Sequence, residues 1–250
     1  MKKLKFTFKN AAGEELSGLL ELPENPKAYA LLAHCFTCGK DLKGAARIAR
    51  KLTENAIAVL RFDFTGLGNS EGDFSNTNFS SNISDLLCAV DYLRRQYEAP
   101  SLLIGHSLGG SAILSIAGEV PEAKAVVTIG SPGELTHVKR LFKDDVENIN
   151  QHGAYPVELA GRVFTLKKQM LDNIQEHKIA HKVFAMNKPL LIFHATEDDT
   201  VLIEQAEKIF KAAKHPKSFI SLGKADHLLT HAQDAEYVAD IIISWSECYL

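Results

Sequence analysis

Leu102-Leu103-Ile104-Gly105-His106-Ser107-Leu108-Gly109-Gly110-Ser111-Ala112-Ile113-Leu114 is the stretch that organises the reading of the whole chain. The apolar run Leu102–Ile104 suits a buried strand, and Ser111–Ala117 has the composition of a helix, so Ser107 falls where a strand turns into a helix. Gly105-His106-Ser107-Leu108-Gly109 is the G-x-S-x-G pattern of a nucleophile elbow. Such a serine is held in a strained backbone conformation at the tip of a tight turn, and its neighbours must be small where strand and helix approach. Gly105, Gly109 and Gly110 meet that need. Five residues with three fixed positions recur by chance, but the strand before and the helix after them make the pattern specific. The elbow also puts the Leu108 N–H at a helix N-terminus, where the helix dipole favours a developing negative charge.

Working outward, short apolar runs alternate with stretches of helical spacing. The runs are Ala28–His34, Ile57–Phe62, Leu102–Gly105, Ala125–Ile129, Leu190–His194 and Ser218–Leu222. Between them lie Leu42–Glu54, Ile83–Gln96, Ser111–Glu119, Ile203–Ala213 and Asp234–Tyr249. Ile83, Leu86, Leu87, Val90 and Leu93 form one apolar stripe, the mark of a helix packed on a sheet. Parallel strands need long crossovers, so the alternation predicts an α/β fold with a mostly parallel sheet and helices on both faces. At the N-terminus, Lys3–Lys9 and Leu16–Leu22 flank a polar turn, and Leu4, Phe6 and Phe8 alternate as in an antiparallel hairpin. From Gly133 to Asn187 the rhythm stops, with no obvious buried strand. Its hydrophobic content, Val163, Phe164, Leu166 and Met170 among it, predicts a folded cap whose apolar residues pack on the body or line a pocket.

The 250 residues carry a formal charge of −3, with 46% hydrophobic and 24% charged residues, which describes a globular chain of one domain. The scattered basic residues give no footprint for nucleic acid or an anionic membrane. No signal peptide or membrane span is apparent, so a cytoplasmic location is expected. Cys35, Cys38, Cys88 and Cys248 are too few and too uneven for a disulfide framework, and reduced thiols are expected.

A serine nucleophile needs a base within reach. On a sheet of this kind the acid and then the histidine follow the elbow in the chain. Among the later histidines only His227 lies in a loop after the last predicted strand with a helix still to come. The acid belongs after the strand Leu190–His194, where Glu197, Asp198 and Asp199 all qualify.

Together these features resemble the α/β-hydrolase superfamily, and within it the capped serine esterases of the cinnamoyl/feruloyl type. Arg61–Phe74 is similar to the family's D-x-x-G-x-G-x-S-x-G signature, with Asp63, Gly66, Gly68, Ser70 and Gly72 in place. His194-Ala195-Thr196-Glu197-Asp198 is similar to its H-G-x-x-D strand end, which singles out Asp198 and leaves Asp199 as the fallback. His34-Cys35-Phe36 stands where the family has H-G-F, so the resemblance assigns the second oxyanion donor to the Phe36 N–H, with Cys35 replacing the glycine. A closer likeness is to hydrolase modules found alone or fused to OsmC-like domains.

The resemblance implies one domain over residues 1–250 with an eight-stranded sheet and a cap at about 134–187. It also implies hydrolysis of small to medium carboxylic esters through an acyl-enzyme, with catalytic residues Ser107, Asp198 and His227 and oxyanion donors Phe36 and Leu108. No cofactor or metal is called for, and the expected partner is a small-molecule ester, with neither nucleic acid nor membrane; oligomeric state is not legible. Thioesterase and peptidase activity share the same groups. Competing readings are a binding protein that keeps the fold without turnover, or a redox-regulated one using Cys35-Phe36-Thr37-Cys38, which is also a C-x-x-C pattern.

Overall fold

In the computed structural model, which describes residues 1–250, an eight-stranded sheet runs in the order β1-β2-β4-β3-β5-β6-β9-β10. Its strands are β1 (Lys2–Lys9), β2 (Glu15–Leu22), β3 (Ala28–Ala33), β4 (Ile57–Phe62), β5 (Leu102–His106), β6 (Ala125–Ile129), β9 (Leu190–His194) and β10 (Lys217–Ser221). β1 pairs antiparallel with β2 and β2 antiparallel with β4; every pairing from β4 to β10 is parallel. Every residue of β3, β4, β5, β6 and β9 is buried, as expected of strands covered on both faces, and this is why they read as continuous apolar runs. β1 instead alternates: Phe6 stacks on Tyr92 at 4.3 Å between ring centroids and Phe8 meets the edge of Phe62, while Lys3, Lys5 and Lys9 face outward and blunt the free strand edge.

Two apolar layers sandwich the sheet. Helices α1 (Lys43–Glu54) and α8 (Ala232–Ser246) cover one face, with Ile48, Leu52, Val238 and Ile242 fully enclosed. Helices α2 (Phe79–Gln96) and α3 (Leu108–Ile116) cover the other, through Leu86, Val90, Leu93 and Ile113. α2 begins at Phe79, one turn before the predicted Ile83. Asn78 caps it by accepting from the Ser81 N–H, and the Ser81 hydroxyl accepts from the Asn78 N–H in return. Phe79 is fully buried and lies on the same stripe, but the polar Ser80, Ser81 and Asn82 separate it from Ile83, which hid the first turn. α3 starts directly at Leu108 rather than Ser111, making the elbow as tight as the sequence permits.

Between β6 and β9 lie a 3-10 turn (Leu135–Phe142), helix α4 (Val146–His152), a two-stranded hairpin of β7 (Ala154–Leu159) and β8 (Arg162–Lys167), and helices α5 (Lys168–Glu176) and α6 (Ile179–Met186). Neither strand of the hairpin is buried along its length, so no apolar run announced it. Its two-residue turn places Ala160 at φ +50° and Gly161 at φ +75°, the geometry usually announced by Asn-Gly, and the alanine hid that signal. α7 (Glu204–Ala212) completes the structure, and no helix is long and apolar enough to cross a membrane.

Candidate active site

Ser107 sits between β5 and α3 at φ +54°, ψ −129°, a conformation that costs energy for any residue with a Cβ. Its N–H donates to the Ile129 carbonyl at 2.8 Å, and its own carbonyl accepts from Gly110 N–H at 2.9 Å. The surrounding glycines are required by close approach. A Cβ on Gly105 would lie 2.4 Å from Gly110 Cα, and one on Gly109 would lie 2.3 Å from the His34 carbonyl oxygen.

His227 lies in the loop between β10 and α8, and its Nδ1–H donates to Asp198 Oδ2 at 2.7 Å. This fixes the tautomer and leaves Nε2 with its lone pair. Asp198 Oδ1 accepts from the N–H groups of Val201 at 2.9 Å and Thr200 at 3.0 Å, so the carboxylate is locked in place. Burial by itself would raise the Asp198 pKa, but the His227 hydrogen bond and charge, with the Val201 N–H, hold the carboxyl below its ordinary value. The neighbouring carboxylates point elsewhere: Asp199 is exposed and accepts from the Thr200 hydroxyl, and exposed Glu197 faces Lys224 at 3.6 Å. Local turn geometry therefore separates three acids that composition left equivalent.

Ser107 and His227 line one pocket of about 270 Å³, together with Cys35, Phe36, Thr37, Cys38, Leu141, Glu158, Leu159, Ala160, Thr200 and Leu228. The Phe36 N–H has no acceptor within the protein. Leu108 opens α3, so its N–H precedes the helical ladder. Of the apolar residues expected in the middle segment, none lines this pocket: Leu166 and Met170 are core, Val163 is 70% exposed, and Phe164 packs on Phe74, which in turn packs on Phe36. The wall comes instead from Leu141 and from the hairpin residues Glu158, Leu159 and Ala160. These three are consecutive residues at the end of β7 and the start of its turn, so it is the tip of the hairpin that faces the pocket.

The loop bearing Phe36 is held from several sides. Asp63 accepts from Lys40 Nζ at 2.5 Å, from Lys40 N–H at 2.7 Å and from Asn69 N–H at 3.0 Å. Gly68, at φ +57°, gives this carboxylate room, since a Cβ there would lie 2.3 Å from Asp63 Cγ. Asp63, which opens the D-x-x-G-x-G-x-S-x-G pattern within Arg61–Phe74, thus ties the Phe36 loop to the segment after β4. Burial raises its pKa, and the Lys40 and Asn69 hydrogen bonds more than offset that, keeping it ionised. Arg61, itself paired with Glu21 at 2.5 Å, donates to the Lys40 carbonyl, and Arg162 of the hairpin donates to the Thr37 carbonyl.

Sequence reasoning also missed three histidines at strand ends. His34 Nδ1 meets the Cys35 carbonyl, His106 Nε2 the His227 carbonyl and His194 Nε2 the Val201 carbonyl, each at 2.7 Å. A carbonyl can only accept, so each ring presents an N–H. Burial lowers all three pKa values, that of His106 to about 3, so the rings are neutral. One ring holds the Phe36 loop, one the His227 loop and one the Asp198 loop. Their common signal was a histidine closing, or directly following, a buried apolar run.

Cys35 and Cys38 form a disulfide, with Cα atoms 5.3 Å apart, which corrects the expectation of reduced thiols for this pair. The tight turn closed by Cys38 N–H and the Cys35 carbonyl brings them together. Cys88 and Cys248 are free. No group of three or more His, Cys, Asp or Glu side chains is arranged to hold a metal ion.

The family profile described as serine aminopeptidase, S33, matches residues 24–144. A crystal structure of the esterase domain from a Rhodothermus marinus protein is 45% identical, with 100% of this chain and 99% of that chain covered and a TM-score of 0.81. The chain belongs to the α/β-hydrolase superfamily. Est1E from Butyrivibrio proteoclasticus with ferulic acid bound shares the fold at 22% identity, 98% coverage of both chains and a TM-score of 0.84. Among curated sequences, the mitochondrial palmitoyl-protein thioesterase ABHD10 of Bos taurus is 26% identical over 151 residues, 58% of this chain and 48% of the relative. The chain therefore spans about half the length of that relative. The uncharacterized protein YfhR of Salmonella typhi is 23% identical over 210 residues, 82% of this chain and 66% of its own.

Proposed function

We propose that this α/β hydrolase is a serine esterase acting on small to medium carboxylic esters. The observation that carries the reading is the 2.7 Å bond from His227 Nδ1 to Asp198, made by a histidine that shares one pocket with the elbow Ser107. His227 Nε2 takes the Ser107 proton as Oγ attacks the ester carbonyl, and Asp198 stabilises the imidazolium that forms. The Phe36 and Leu108 N–H groups hold the tetrahedral oxyanion. His227 then protonates the leaving alcohol and activates the water that releases the acid. The segment between β6 and β9 serves as a cap, its hairpin forming one wall of the acyl site.

The 45% identical esterase domain supports ester chemistry, and a pocket of about 270 Å³ suits a compact acyl group, lying just under the roughly 300–1,000 Å³ usual for drug-sized ligands. The thioesterase relative favours thioesters as a second class. Turnover of p-nitrophenyl esters of graded chain length, alongside the thioester of the best acyl group, tests both. Ser107→Ala is expected to abolish hydrolysis and fluorophosphonate labelling while leaving the thermal midpoint near wild type. Labelling that survives Ser107→Ala would sink the assignment.

A further inference from the structure

We propose that the Cys35–Cys38 disulfide is a thiol-exchange site that sets the rate of the adjoining hydrolase centre, with low-molecular-weight dithiols as its reactants. The inference rests on the esterase reading above, in which the Phe36 N–H is an oxyanion donor. Three observations carry it. Both sulfur-bearing residues line the same pocket as Ser107 and His227, so the bridge is part of the substrate wall. Phe36 lies inside the ring that the bridge closes, and its N–H has no acceptor within the protein. Cys35 is 6% exposed whereas Cys38 is partly open, so a thiolate arriving through the pocket meets Cys38 Sγ first.

Hydrogen bonds also grip the loop, both within the ring and just beyond it. His34 holds the Cys35 carbonyl, Arg162 the Thr37 carbonyl and Asp63 the Lys40 N–H and ammonium. The Cys35 carbonyl shares one planar peptide with the Phe36 N–H, so the His34 ring and the Cys38 N–H, both donating to that carbonyl, aim the oxyanion donor, and the disulfide keeps Cys38 in place to do so. When the bridge opens, the sulfurs must separate from bonding distance to van der Waals contact. Cys38 is then free to withdraw its N–H from the Cys35 carbonyl, which leaves the Phe36 peptide held by the His34 bond alone.

The exchange balances as follows. One thiolate of the dithiol attacks Cys38 Sγ, forming a mixed disulfide, and the Cys35–Cys38 bond breaks with its electron pair on Cys35 Sγ, which takes up a proton. The second thiolate of the reductant then attacks its own sulfur in the mixed disulfide, releasing Cys38 as a thiol. Two electrons and two protons pass to the protein, and the reductant leaves as a cyclic disulfide. Reoxidation by an oxidised dithiol reverses each step.

The test uses the full chain, oxidised with trans-4,5-dihydroxy-1,2-dithiane or reduced with dithiothreitol, then freed of reagent. Alkylation of the denatured protein followed by mass spectrometry is expected to count two thiols, Cys88 and Cys248, in the oxidised form and four in the reduced form. The fluorophosphonate labelling rate of Ser107 and the kcat for a p-nitrophenyl ester are expected to fall about tenfold on reduction, less than the roughly 10²–10³ that follows complete loss of an oxyanion donor. The Cys35→Ser and Cys38→Ser variants should lose the difference between treatments, and the Cys88→Ser, Cys248→Ser double variant should keep it. Four alkylated thiols after oxidation would overturn the proposal, as would equal or faster labelling in the reduced form. No labelling in either state would overturn the esterase reading, and this proposal with it, while equal labelling in both states would overturn this proposal alone.

Discussion

Ser107 at φ +54° and His227 on a separate loop must meet to a fraction of an ångström, and the residue joining their surroundings is His106. It immediately precedes the nucleophile, and its Nε2–H holds the backbone carbonyl of His227, whose ring is held at the other end by Asp198. The proposed base is thus fixed at both backbone and side chain. His106→Phe removes the donor while keeping a ring in the site. We expect kcat to fall about ten- to hundredfold with KM nearly unchanged, because misplacement of a reacting group by about an ångström costs rate on that scale. His106→Gln, which restores an N–H donor, should recover part of kcat; equal kcat in wild type and His106→Phe would refute the positioning role. A second comparison addresses the acid. Asp198→Asn should lower kcat by about 10⁴, the scale seen when a triad carboxylate is neutralised, and Asp199→Asn should leave it near wild type. At this scale the sequence was legible where chemistry demands a motif, as at Ser107. The roles of His34, His106 and His194 were not legible, because each acts on a carbonyl brought in by another loop, and no spacing along the chain records that meeting.

Buried strands announce themselves as apolar runs because both faces are covered, and β3, β4, β5, β6 and β9 were each legible for that reason. The β7–β8 hairpin was not: it packs through alternate residues only, its turn begins with Ala160, and Pro156 interrupts the strand pattern. It is also the element that shapes the pocket, through Glu158, Leu159 and Ala160. Arg162 fastens it to the body by donating to the Thr37 carbonyl, with its guanidinium 5.1 Å from the centre of the Phe164 ring. Arg162→Leu removes the hydrogen bond and the cation–π contact, each worth on the order of 1 kcal/mol. The hairpin should then sit less firmly against the Phe36 loop. KM for the preferred p-nitrophenyl ester is expected to rise about three- to tenfold, with a smaller change in kcat. A fall in kcat at constant KM would instead place Arg162 in the transition-state machinery.

Across the whole molecule, the buried titratable groups predict how stability depends on pH. His34, His106 and His194 have folded pKa values below the 6.5 of the unfolded chain, mainly through burial. As pH falls through 6.5 the unfolded state takes up protons that the native state refuses. Each histidine then removes up to about 1.4 kcal/mol of stability per pH unit until it protonates in the native state. Asp85 acts in the opposite sense. Its carboxyl, 2% exposed on α2 and bonded to Thr65 N–H and hydroxyl, is pushed up to about 6 by burial. Between pH 6 and pH 4 the native state therefore binds the additional proton and gains stability. Three groups lose while one gains, so the urea midpoint should be highest near pH 7–8 and decline steadily below pH 6.5. Asp198 and Asp63, whose carboxyls lie below their ordinary values, protect against acid only above about pH 4 and lose that contribution as pH falls through their folded pKa values. Asp85→Asn keeps an acceptor for Thr65 without a buried charge. It should raise the midpoint at pH 8 and steepen the decline toward pH 5, because the one compensating proton is gone. Urea titrations of wild type and Asp85→Asn at pH 8, 7, 6 and 5 measure both slopes, and parallel curves for the two proteins would show that Asp85 titrates alike in the folded and unfolded chain.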